Sequence, residues 1–140
     1  MQLDTNFYRH IKQLIEQARN RVKAAVNFSM VDLYWSIGQQ IVEQEQAGES
    51  RAEYGKALLK QLADRLTSEF GTGFNERNLR YFRTFYLAFP IRDALRHELG
   101  WTQYRILSKI NNEKARLWYM NEAADHAWSS VIERIKRLEQ

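Results

Sequence analysis

Apolar residues recur along most of the chain at intervals of three and four positions, the spacing of one face of an α-helix. The residues Asp4, Thr5 and Asn6 can cap the first such helix. Its apolar stripe consists of Phe7, Ile11, Leu14, Ile15, Ala18, Val22, Ala25, Val26, Met30, Tyr34, Ile37 and Ile41. No segment shows a convincing strand pattern, so the stripe is the first sign of an all-α protein.

The length of this first stripe raises a question of shape. An unbroken helix from Thr5 to Gln46 would be roughly 60 Å long at about 1.5 Å per residue. A compact domain of this size is only about 35–40 Å across. Either the chain bends near Asn27 and Ser29, whose side chains favour helix ends, or the helix projects and meets a second chain. We favour the bend.

Glycine, proline and capping residues divide the remaining chain. The polar segment 47–55 predicts the first loop, and a helix over 53–70 should end before Gly71, where a left-handed residue commonly stops a helix. Asn75 can cap a third helix, which Pro90 ends. Three further helices are predicted over 102–110, 112–126 and 129–140, with Thr102 and Ser129 as caps of the first and last.

Composition supports a helical, soluble chain. With one proline, six glycines and no cysteine in 140 residues, helix can extend almost throughout, and disulfides are excluded. The apolar runs are far shorter than the ~20 residues of a membrane-spanning helix, and the N-terminus shows no targeting signal. We therefore predict one all-α domain over 1–140, a compact multi-helix domain of six or seven helices, cytoplasmic and without a membrane partner.

The third predicted helix carries three arginines spaced three residues apart: Arg77, Arg80 and Arg83. Its apolar residues occupy the other face, so the arginines should point outward with Tyr81 and Asn78. Guanidinium groups bind phosphate oxygens, and tyrosine or asparagine can reach bases or sugars. The preceding helix and the Gly-Thr-Gly turn complete a helix-turn-helix outline, and the net charge of +4 favours an anionic partner.

Other interpretations of these side chains stay open. Charged residues on an outer helix face are commonly solvated surface, and arginine and tyrosine also dominate protein interfaces. A second basic group follows with Arg105 and Lys109 one turn apart, and Lys114 and Arg116 beyond them, in another short helix-turn-helix outline. We include Arg105 and Lys109 among the candidate nucleic-acid contacts.

Catalytic and metal-binding patterns are missing. The three histidines have no ligand-like spacing. Metal-dependent nucleases commonly carry a (D/E)-x-K triplet, but no lysine here has an acidic residue two positions before it. We predict no catalytic residues, no metal and no cofactor. An enzyme would need a cluster formed only in space, such as Glu43 with His97.

Several segments together resemble a known family. These are LYWSIGQQIVEQEQAGESRAEYG over 33–55, EFGTGFNERNLRYFRTFYLAFP over 69–90, and LGWTQYRILSKI and ARLWYMNEAADHAWS further on. The chain resembles, over about residues 10–135, the N-terminal domain of the YhcG-type family, also called domain of unknown function 1016. Full-length relatives carry a C-terminal PD-(D/E)XK nuclease-like domain. The resemblance therefore implies the non-catalytic N-terminal part of a longer nuclease.

The sequence thus predicts a DNA-binding accessory domain that contacts phosphates through its arginine helix and serves a C-terminal nuclease domain. The alternative is an oligomerisation or protein-interaction module, since the long stripe and the many aromatic residues could be buried against a second copy. Both roles could coexist in a homodimer that reads two half-sites.

Overall fold

A computed structural model describes residues 5–47 and 52–126 of the chain. Two short 3₁₀ turns, Thr72–Phe74 and Arg92–Ala94, lie among five α-helices. The helices are α1 Thr5–Ala47, α2 Ala52–Phe70, α3 Glu76–Ala88, α4 Trp101–Leu107 and α5 Glu113–Asp125. The described residues contain no strand, so the all-α prediction is confirmed, with five helices rather than six or seven. The helix predicted over 129–140 lies outside the described residues.

Helix α1 is continuous over 43 residues, so the predicted bend is wrong. Every side chain from residue 5 to residue 27 is exposed, and this half of the helix projects from the domain. The helix stays intact across the expected bend because Phe28 stacks on His97, with ring centroids 3.7 Å apart, and Val31 is fully buried. The observed helix is the second alternative, in which only one half of α1 lies within the domain and the other half projects.

The second half of α1 packs against α3 and forms the centre of the core. Gly38 allows this approach, since a Cβ there would overlap the Phe82 carbonyl group, with 2.8 Å to its carbon. Two turns beyond Phe82, at the end of α3, the buried Trp35 indole donates a hydrogen bond of 2.7 Å to the Phe89 carbonyl oxygen. The main core consists of Val31, Trp35, Phe85, Ala88, Phe89, Leu95, Leu99, Tyr104, Leu107, Met120 and Ala123.

Helix α2 joins this core through a second cluster made of Ile41, Leu59, Ala63, Leu79 and Phe82. As predicted, a glycine stops α2, and Gly71 has a positive φ of 101°. The Asn75 cap is also confirmed, because its side chain accepts a 2.9 Å hydrogen bond from the Asn78 amide. Both signals are local, which explains why the sequence contained them.

Helices α4 and α5 close the other end of the core. The predicted Thr102 cap is wrong, since α4 begins at Trp101 and the preceding Gly100 amide donates to the Gln103 side chain at 2.8 Å. Asn112 caps α5 and accepts from the Ala115 amide at 2.9 Å. No helix among the described residues is long and apolar enough to cross a membrane.

Candidate nucleic-acid interface

The two basic groups of the sequence meet at the ring of Tyr81. The Arg77 Nε donates a 3.0 Å hydrogen bond to the Tyr81 hydroxyl from the preceding turn of α3. The Arg105 guanidinium of α4 lies over the same ring, 4.8 Å from its centroid, and that of Arg77 lies at 5.6 Å. Helices α3 and α4 therefore form one basic site, which we call the Tyr81 cluster: Arg77, Tyr81, Arg105 and Lys109.

Positive charge surrounds the phenol of the Tyr81 cluster. The hydrogen bond from Arg77 lowers the pKa of the Tyr81 phenol, and the positive charges of Arg77, Arg105 and Lys109 lower this pKa further. Arg77, Arg105 and Lys109 are all exposed. Among residues 5–47 and 54–126, no carboxylate lies within salt-bridge distance of these three cations. Their charge is thus available to an external anion.

The other two arginines of α3 have carboxylate partners. Arg80 lies 3.5 Å from Glu76 on the same helix, in an exposed pair that water screens strongly. Arg83 donates a 2.6 Å hydrogen bond to Glu45, whose side chain is only 19% exposed. The Arg83 bond connects α3 to the end of α1. Arg80 can still reach an anion, whereas Arg83 has a structural partner.

Asn78, a candidate nucleic-acid contact, and Arg116, a member of the second basic group, also stabilise the fold. The Asn78 side-chain amide donates to the Gly73 carbonyl oxygen at 3.0 Å and so secures the turn before α3. Arg116 donates to the carbonyl oxygens of Ala88 at 2.8 Å and Ile110 at 2.9 Å. It satisfies a free carbonyl at the end of α3. Of the seven candidate contacts, the structure brings together Arg77, Tyr81, Arg105 and Lys109.

The order of helix, short turn and helix over α2 and α3 is as predicted, with Asn75 starting the second helix. Arg77 and Arg80 are exposed on the first two turns of α3. Whether α3 reads DNA as the second helix of a helix-turn-helix stays a prediction.

Glu43 and His97, the pair considered for an enzyme, lie far apart in the structure. His97 stacks on Phe28, and Glu43 lies roughly 22 Å further along α1 at about 1.5 Å per residue. Within the described part of the chain, no group of three or more histidine and acidic side chains could hold a metal ion. The absence of catalysis from the whole chain remains a prediction.

Sequence reasoning missed two features outside the cluster. The first is the Glu45 partner of Arg83, which is 38 positions away and carries no local signal. The second is an open apolar groove between α1 and α2, with a volume of about 800 Å³. The sequence predicts the apolar stripe of α2 as part of the core, but some of its side chains line this groove.

Fold and site together define a class: a small all-α domain whose basic side chains from two helices surround one tyrosine. The family described as "DUF1016 N-terminal domain" matches residues 10–137, and the chain belongs to that family. The resemblance seen in the sequence is thereby confirmed.

One curated relative shows a partial match. The Escherichia coli (strain K12) protein named "Putative nuclease YhcG" is 44% identical over 79 residues. Those residues are 56% of this chain and 21% of the E. coli protein, so the chain matches about a fifth of that relative. No solved structure matches the chain.

Proposed function

We propose that this domain binds nucleic acid through the Tyr81 cluster and acts as the accessory region of a nuclease. The observation that carries the proposal is the convergence of Arg77, Arg105 and Lys109 on one tyrosine, with no carboxylate partner among the described residues. Two exposed arginines held against one ring by two helices, with the exposed Lys109 just after α4, are more than a solvated helix face requires.

The geometry favours contacts to phosphate over contacts to bases. Arg77 and Arg105 both lie against the Tyr81 ring, so the ring is occupied and their guanidinium groups are held in place. Held guanidinium groups lose less conformational entropy when they bind, and their N–H groups match two phosphate oxygens at once. Binding through such contacts is largely independent of base sequence.

The relative's name supports nucleic acid as the anion, since a nuclease must hold its substrate. In the proposed arrangement, this domain retains DNA while a C-terminal PD-(D/E)XK domain cleaves it. The residues used for retention lie on α3 and α4, with Arg80 close enough in sequence to extend the contact by one turn.

Binding assays on the 140-residue chain test the proposal. Fluorescent duplex and single-stranded DNA and RNA of equal length would be titrated at low salt. The double variant Arg77→Ala/Arg105→Ala should bind roughly a hundredfold or more weakly, because it loses two charged contacts and each contributes about 1.5–3 kcal/mol. The control Lys60→Ala/Arg65→Ala removes the same charge from exposed positions of α2. Equal losses in both variants would refute a specific role for the cluster.

A second candidate function is protein association through the projecting half of α1. The observation behind it is that this half exposes large apolar side chains, among them Phe7 at 58% and Val22 at 65%. Exposed apolar surface of this extent typically marks an interaction site. Light scattering over a range of concentrations would detect self-association, and a monomer at every concentration would count against it.

A further inference from the structure

The exposed apolar side chains of α1 lie on one side of the helix. At about 100° per residue, the stripe runs along a single face for its first seven turns. Its exposed members are Phe7, Tyr8, Ile11, Leu14, Ile15, Val22, Val26, Met30 and Leu33. The buried residues of the second half, such as Val31 and Trp35, occupy nearly the opposite side. The projecting stripe is therefore not an extension of the core face.

The same stripe leads directly into the groove between α1 and α2. Leu33 belongs to both, and Ile37 and Gln40 continue the groove wall on α1 one and two turns later. On the opposite wall lie Leu58, Leu62 and Leu66 of α2. A second helix placed on the stripe would thus continue into the groove without changing direction.

Charge is distributed unequally along α1. Residues 5–27 contain the basic side chains Arg9, Lys12, Arg19, Arg21 and Lys23 and one acidic side chain, Glu16. Residues 28–47 contain Asp32, Glu43 and Glu45 and no lysine or arginine. Two copies of α1 side by side in parallel would repel each other along their basic halves. In an antiparallel pair the two basic halves lie apart, each beside the half of the other helix that has no lysine or arginine. Asp32 and Glu45 of that half are paired with Arg92 and Arg83 of their own chain, so the separation of the basic halves is what favours this arrangement.

We propose that two copies of this chain pair antiparallel through α1, and that the projecting end of each helix fills the α1–α2 groove of the other copy. This inference rests on the second candidate function and specifies its partner and geometry. The pairing is a closed two-fold arrangement, since each copy provides one projecting end and one groove.

Placing Phe7 of one copy at the far end of the other copy's groove defines the register of the two helices. If Phe7 reaches the end of the groove at Gln44, then Ile11 lies opposite Gln40 and the two-fold axis passes between Ala25 and Val26. In that register Leu33 lies opposite Ala18, Ile15 opposite Ser36, and Leu14 opposite Ile37. The shared face would be roughly 55 Å long and about 10 Å wide. Its flat area of roughly 550 Å² per partner lies near the lower end of specific interfaces, which begin at about 600 Å² per partner.

The absence of cysteine from the chain makes this register testable by cross-linking. Single variants Ile11→Cys and Gln40→Cys would be mixed and treated with a short bis-maleimide, alongside each variant alone. We expect a cross-linked dimer in the mixture and little in either variant alone. A parallel pair would instead cross-link Ile11→Cys to itself.

Light scattering of the unmodified chain separates the two levels of the proposal. A dimer with the 11–40 cross-link supports both. A dimer without that cross-link keeps the association function and overturns the antiparallel geometry. A monomer at all concentrations overturns both.

A matched pair of substitutions tests the face itself. Ile15→Asp places a charge on the stripe and should shift the dimer to monomer. We expect the dissociation constant of the dimer to rise at least tenfold. Gln13→Asp adds the same charge on the opposite side of the same exposed helix and should leave the dimer unchanged. Equal behaviour of the two variants would contradict the assignment of this face.

Discussion

Helices α1 and α3 pack closely at Gly38 because glycine has no side chain. The variant Gly38→Ala tests how tightly the two helices are packed there. A Cβ at position 38 would overlap the Phe82 carbonyl oxygen and lie 2.8 Å from its carbon and 3.0 Å from the Tyr86 Cβ. Ordinary contacts of this kind are at least 3.4 Å. The helices must therefore separate by more than half an ångström, because backbone and Cβ atoms cannot rotate away.

The separation acts on the centre of the core. Trp35 lies less than one turn from Gly38, and its 2.7 Å bond to Phe89 spans the same pair of helices. Overpacking of a well-packed core costs about 1–3 kcal/mol, while replacing glycine by alanine within a helix returns up to about 1 kcal/mol. We expect Gly38→Ala to lower the free energy of unfolding by about 1–2 kcal/mol.

Gly55→Ala is the matched control. Gly55 also lies within a helix, but a Cβ there would approach only the Glu45 carboxylate, at 3.3 Å, and a side-chain end can shift by a few tenths of an ångström where backbone cannot. This variant should be neutral or more stable by up to about 1 kcal/mol. Urea unfolding followed by circular dichroism would measure both variants. If Gly38→Ala proved as stable as Gly55→Ala, the close packing of α1 on α3 would be refuted.

Three further predictions concern single polar contacts. A double-mutant cycle on Arg83→Ala and Glu45→Gln should give a coupling of about 0.2–1 kcal/mol in urea unfolding, since the pair is partly exposed; zero coupling would contradict the bond. Arg116→Ala should cost about 1–2 kcal/mol and the exposed Lys114→Ala under about 0.5, in the same assay. Nucleic-acid binding should weaken as Tyr81 ionises, at a pH below the ordinary phenol value of about 10, and Tyr81→Phe should abolish that transition in a pH titration.

The pH dependence follows from the direction of the Tyr81 shift. Below its pKa the phenol is neutral, and above it the phenolate adds a negative charge among the cations. Because the folded pKa is lowered, the phenolate also stabilises the folded state above the ordinary pKa, and this contribution disappears as pH falls through the folded value. A drop in affinity that persists in Tyr81→Phe would assign the transition to another group.

Local signals in the sequence predicted local structure well. Gly71 and Asn75 act within a few residues of their own position, and both were placed correctly. The family resemblance rested on motifs that span most of the chain. The Thr102 cap failed because Gly100 and Gln103 start α4 one residue earlier through a different hydrogen bond.

Long-range relationships could not be predicted in the same way. Arg77 and Tyr81 are four residues apart on one helix, so their contact was foreseeable, but the arrival of Arg105 over the same ring depends on how α4 packs. Likewise, the sequence groups Arg83 with Arg77 and Arg80, but its partner Glu45 is 38 positions away, and no local pattern indicates that pair. The projection of α1 was one of two alternatives. The sequence could not decide between them because a buried and an exposed apolar stripe have the same periodicity.

The most direct test of the Tyr81 cluster is the salt dependence of duplex DNA binding. The logarithm of the affinity falls with the logarithm of salt concentration by about 0.9 for each phosphate contact. Arg77→Ala/Arg105→Ala should therefore reduce the slope by about 1.8 relative to the unmodified chain, and Lys60→Ala/Arg65→Ala should leave it nearly unchanged. A slope that is the same in all three proteins would contradict phosphate binding at the cluster.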